Sequence, residues 1–102
     1  MGRTNISSGS PFEPVMGFCR AMVVGDRVLV SGVAPISLDG SIDPDPEAQA
    51  ARCLDIIEGA LTQAGASLAD VRPANTTVVV AALLNPAWHV EIEADAIIGA
   101  RT

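Results

Sequence analysis

Three local patterns in this 102-residue chain predict a small domain of mixed helix and strand. The Gly25-Asp26 pair sits between two β-branched apolar runs, the signature of a tight hairpin. An Asp45-Pro46 start and a Gly65 stop bracket a stretch whose apolar residues recur every three or four positions, as in an amphipathic helix. Near the C-terminus, polar and apolar residues alternate as they do along a half-buried strand.

In chain order, residues 1–17 are rich in Ser, Gly and Pro and read as an irregular lead-in. Strands are expected over 19–24 and 28–31, with Gly25 supplying the positive φ of the turn between them. Residues 32–42 form a loop with a second turn at Asp39-Gly40. The helix follows, its carboxylate cap at Asp45 and its proline in the first turn. Ala50, Cys53, Leu54, Ile57, Leu61 and Ala64 make its apolar stripe, leaving Arg52, Asp55, Glu58 and Gln63 for solvent. Residues 66–74 connect to a strand over 76–83, then a turn at 84–87 and a last strand over 88–97.

Strand faces carry the next inference. Val28 to Val30 and residues 78–83 are apolar on both faces, as in a sheet covered on both sides, and one helix covers only one of them. The second face therefore calls for a partner, most simply another copy of the chain. In the last strand His89, Glu91, Glu93 and Asp95 share one face, and Val90, Ile92, Ala94 and Ala96 share the other. Carboxylates about 7 Å apart along a strand repel, so that face needs water, arginine or hydrogen-bond donors.

Composition narrows the class. Hydrophobic residues make up 49% and charged residues 18%, with mean hydropathy +0.39, which excludes disorder and leaves apolar surface to hide by self-association. The length suits a single domain over 1–102. Twelve acidic residues against six basic ones, all arginine, give a net charge of −6 and disfavour nucleic acid as a partner. No apolar run spans a bilayer and the opening residues lack a signal-peptide pattern, so no membrane is involved and a cytoplasmic location is expected. Cys19 and Cys53 match neither a zinc pattern nor a disulfide framework and are expected as buried free thiols; no metal is predicted.

No phosphate loop, HExxH, GxSxG or CxxC motif is present. Candidates for chemistry are therefore few. Glu91 beside apolar strand can act as a general acid or base or position a water. His89 titrates near neutrality but has no adjacent nucleophile, and a surface or structural role is expected of it. Gly32, after Ser31, can offer a backbone N–H to a ligand.

Taken in order, several segments resemble the Rid family, also called YjgF/YER057c/UK114, over nearly the whole chain. They are Val30-Ser31-Gly32-Val33-Ala34-Pro35, Glu47-Ala48-Gln49-Ala50-Ala51-Arg52-Cys53-Leu54 closing at Ala64-Gly65-Ala66, Arg72-Pro73-Ala74, and Val90-Glu91-Ile92-Glu93-Ala94. The resemblance implies an α+β, chorismate-mutase-like mixed sheet with helices on one face, assembled as a homotrimer with ligand pockets between subunits. It also implies cofactor-free hydrolysis of amino-acid-derived enamines and imines to a keto acid and ammonia. Gly32 and Glu91 match the family's backbone donor and water-placing glutamate. Phe18 stands where a tyrosine is expected, and Asn75 where an arginine grips the substrate carboxylate. Asparagine forgoes a charge-assisted contribution of roughly 1.5–3 kcal/mol, and with Thr76 and Thr77 beside it the site suits a neutral or carbonyl-bearing ligand better. The resemblance also implies a strand and a helix, about 25–30 residues, where Leu68-Ala69-Asp70-Val71 here runs directly into Arg72-Pro73-Ala74; that pair is either lost by an internal deletion or carried by residues that these 102 omit. Two function classes follow: a Rid-like hydrolase with Phe18, Gly32, Asn75, Thr76 and Thr77 around its small metabolite and Glu91 as catalyst, or a non-catalytic trimer binding a small metabolite. RNA cleavage, also ascribed to the family, is disfavoured by the acidic charge.

Overall fold

The computed structural model describes residues 2–71 and 78–99. Four strands, β1 (Arg3–Ile6), β2 (Ala21–Val24), β3 (Arg27–Val33) and β4 (Ile92–Ile97), form one sheet in the order β1-β2-β3-β4. All described pairings are antiparallel. A short helix α1 (Glu13–Met16) precedes β2, and the long helix α2 (Pro46–Gln63) connects β3 to the C-terminal part and packs on β3 and β4. The fold is α+β, with the one long helix on one face of the sheet.

The local signals acted as expected. Gly25 takes φ 61° between Val24 and Arg27, which pair directly across the hairpin. At the start of α2 the Asp45 carboxylate accepts from the Ala48 N–H at 3.1 Å. Its end is closed by Gly65 at φ 83°, with Ala66 N–H donating to Leu61 O at 2.8 Å and Gly65 N–H to Thr62 O at 3.1 Å, a Schellman arrangement. The turn at 84–87 is also present, with Trp88 N–H donating to Asn85 O at 3.0 Å.

Packing rotates the expected helix stripe slightly. Cys53, Ile57, Ala60 and Leu61 are buried against Val28, Val30, Val33, Ala21 and Ala96, and removing a side chain the size of Ile57 or Leu61 from water contributes about 1.5–3 kcal/mol. Leu54, expected in the stripe, is about half exposed, and Gln49 is fully buried in the row below Cys53. Spacings of four from Gln49 through Cys53, Ile57 and Leu61 define the buried row, so a polar residue occupies a core position. The Gln49 amide donates to Asp43 O at 2.8 Å and to Ala87 O at 2.9 Å, and its Oε1 accepts from His89 N–H at 2.7 Å. One side chain thus ties the segment leading into β4 to the helix.

Three expectations about the strands are corrected. The lead-in contains β1, whose polar Arg-Thr-Asn sequence carries no strand pattern; its pairing with β2 and the buried Ile6 hold it. Residues 78–83 are not a strand, and Val79 is fully exposed. Strand propensity is realised only through pairing, and residues 78–83 pair with none of the four strands, although β4 ends the described sheet with one side unpaired. The last strand is shorter than expected, starting at Ile92, but its alternation holds: Glu93 and Asp95 are exposed while Ile92, Ala94 and Ala96 face the core. On the sheet face away from α2, Met22 pairs with Leu29, both half-buried.

Candidate functional site

Between Val30 and Val33 the β3–β4 register slips: Val30 pairs with Ala94 and Val33 with Ile92, so Ser31 and Gly32 together oppose Glu93. This β-bulge keeps Val28, Val30 and Val33 all in the core and turns Ser31 and Gly32 outward. Glu91, one residue before β4, reaches over that bulge. A Cβ built on Gly32 would lie 2.6 Å from Glu91 Oε1 and 3.3 Å from its Cδ, so the carboxylate occupies the space that only glycine leaves open.

The bulge forms one wall of an open cleft of about 1020 Å³, lined among others by Phe18, Arg20, Gly32, Arg52, Trp88 and Glu91. Of the residues proposed from sequence, the structure brings Phe18, Gly32 and Glu91 to this one cleft. Asn75, Thr76 and Thr77 lie outside the described residues. His89 lines no part of the cleft; its backbone N–H is held by Gln49 and its side chain faces solvent.

Both cysteines are free. Cys53 is buried beneath the site, its thiol donating to Val33 O at 3.2 Å. Burial pushes its pKa up, the Glu91 charge adds to this, and Arg52 partly opposes it, so the group stays a thiol and is no nucleophile. Cys19, expected to be buried, is half-exposed on the cleft wall and donates to Ala21 O at 3.3 Å.

Two arginines line the cleft that the sequence did not single out. Arg52 was expected in solvent, yet it is half-buried, with Nε donating to Ile36 O at 2.8 Å. Arg20 is also half-buried; burial lowers its pKa, the Glu13 charge raises it and the Arg52 charge lowers it again. The available signal was scarcity: a chain with no lysine and six arginines places two of them here, 32 positions apart, where only the fold could join them. The Trp88 indole N–H is buried without a partner among the described residues. Nor do three His, Cys, Asp or Glu side chains converge there as metal ligands would. No described helix is long and apolar enough to cross a membrane.

A sheet with one long covering helix, a bulge at Ser-Gly and a glutamate over it frames an open cleft on an α+β domain. The family model described as endoribonuclease L-PSP matches residues 9–72. The chain belongs to this family, the Rid or YjgF/YER057c/UK114 proteins. Among solved structures, it is similar to the family member Rv2704 of Mycobacterium tuberculosis at 37% identity over 95% of this chain and 100% of that one, TM-score 0.83. A Thermotoga maritima protein, TM0215, matches at 26% identity over 91% of each chain, TM-score 0.74. The YjgF gene product of E. coli shares the fold at 21% identity over 91% of this chain and 92% of its own, TM-score 0.76. No curated protein matches the chain significantly.

Proposed function

We propose that the chain is a cofactor-independent hydrolase of small imines and enamines, with Glu91 ordering the attacking water at the Gly32 bulge. The observation that carries this is the Glu91 carboxylate held over Gly32 inside the cleft. A carboxylate oxygen there accepts a proton from water as the water oxygen bonds to the imine carbon; the C=N electron pair moves to nitrogen, which is protonated. The resulting carbinolamine loses ammonia as its hydroxyl proton departs and the carbonyl forms. Imine and water are converted to carbonyl compound and ammonia, with no oxidant or metal required.

The assembly proposed is a homotrimer in the cytoplasm. Half-buried Met22 and Leu29 on the uncovered sheet face support self-association, and sedimentation at three times 10.5 kDa tests it. Asn75 in place of a carboxylate-gripping arginine supports the second reading, a trimer that binds a small metabolite without turning it over. The family's description, endoribonuclease L-PSP, names RNA cleavage; a net charge of −6 with no lysine counts against it. Ammonia and keto-acid release from freshly generated imines decides between the first two. Release above the spontaneous rate supports the hydrolase, whereas ligand-induced thermal stabilisation with no release supports the binding protein.

A further inference from the structure

We propose that Arg20 and Arg52 form the anion-holding part of the cleft, so that small carboxylates are gripped by this pair rather than at position 75. The choice of keto acids as ligands rests on the hydrolase reading; the arginine pair itself rests on geometry.

Both side chains line the same cleft as Gly32 and Glu91. The backbone of Arg20 is fixed beside the bulge: its N–H donates to Ile6 O at 2.7 Å, and its carbonyl accepts from the N–H and the hydroxyl of Ser31, each at 3.0 Å. Arg52 is anchored through Nε to Ile36 O, which leaves its terminal Nη groups free to meet a ligand. The two cations are close enough for Arg52 to disfavour the charge on Arg20, and partial burial adds to that cost.

Among the described residues the offset is partial: the Glu13 charge favours Arg20 more than the Arg52 charge opposes it, while burial weighs most and lowers it. Neither guanidinium makes an ion pair there, although the chain carries twelve carboxylates. Glu13, whose charge favours Arg20, has both oxygens engaged: Oε1 accepts from the Ser7 hydroxyl at 3.0 Å, and Oε2 from the Ser8 N–H and hydroxyl. Among the described residues Glu91 is the only acidic one lining the cleft, beside two arginines, in a protein of net charge −6. Two planar donors without an ion-pair partner among the described residues, both lining one open cavity, match a carboxylate, which accepts from guanidinium in parallel pairs. The ligand's own negative charge then supplies the ion-pair partner that neither guanidinium has among the described residues.

The test is calorimetric titration of the full chain with pyruvate and with methyl pyruvate, a neutral ester of similar shape. Pyruvate is expected to bind about tenfold or more tightly than the ester, the size of one charge-assisted contact. Arg20→Gln and Arg52→Gln are each expected to weaken pyruvate about tenfold and leave the ester unchanged. Equal binding of acid and ester by the unaltered protein overturns the proposal, as does loss of pyruvate binding in Asn75→Ala with both arginine variants unaffected. Should circular dichroism show that the glutamine variants do not fold, Arg20→Lys and Arg52→Lys replace them, and a pyruvate affinity unchanged in both is equally fatal. Titration involves no turnover, so an acid preference that depends on the arginines, alongside absent imine hydrolysis, would defeat the hydrolase reading alone.

Discussion

The carboxylate of Glu91 stands in the place of a side chain at position 32: its Oε1 is 2.6 Å from where the Cβ of any residue but glycine would be. The bulge of β3 makes this possible by turning Gly32 outward while Val33 takes the core position. Gly32→Ala therefore acts on the glutamate and not on the fold. Gly32 has no positive φ and the group it would meet is the end of an exposed, flexible side chain. Denaturant unfolding should change by less than about 1 kcal/mol, while imine hydrolysis falls by about tenfold to a hundredfold as Glu91 is displaced.

Gln49 makes the opposite kind of contribution. It lies fully buried and satisfies two carbonyls and one N–H in segments that flank the cleft. Gln49→Ala leaves those groups unpaired and should cost about 2–4 kcal/mol by urea unfolding. Hydrogen exchange should rise at His89, whose N–H it holds.

How far the sequence could be read depended on how local each signal was. The hairpin turn at Gly25, the Asp45 cap and the Gly65 stop are decided by residues a few positions apart, and the structure has all three. Glu91 and Gly32 were singled out by their chemistry and Phe18 by its family position, and the three share one cleft. Gln49 was not legible as a core residue, because its partners Ala87 and His89 lie about forty positions away. The same distance problem hid Arg20 and Arg52. The β-branched run at 78–80 misled for the converse reason: its propensity is local, but a strand exists only where a ladder forms, and this run pairs with none of the four strands.

Trp88→Phe should be nearly neutral. The indole N–H is buried with no acceptor among the described residues, so deleting it removes an unsatisfied donor while most of the ring's packing remains. A change in unfolding free energy within about 1 kcal/mol is expected, and a larger loss would mean that the N–H has a partner.

Stability should fall on the alkaline side. The Cys53 thiol is pushed above its ordinary range by burial and by Glu91, so in the unfolded chain it ionises first, from about pH 8.5. Between that value and the raised native one the folded state binds more protons, and stability is lost as pH rises through this window. Cys53→Ala should flatten the slope of the urea midpoint over that range. In native protein at neutral pH a thiol reagent should modify half-exposed Cys19 well before buried Cys53.

The central claim is that Glu91 orders the water that attacks an imine carbon, and the most direct measurement is kcat/KM for imine hydrolysis by Glu91→Gln beside the unaltered protein. Glutamine keeps the shape and loses the proton acceptor, so the rate should fall by about a hundredfold or more while pyruvate still binds. Hydrolysis by Glu91→Gln at the unaltered rate would contradict the account.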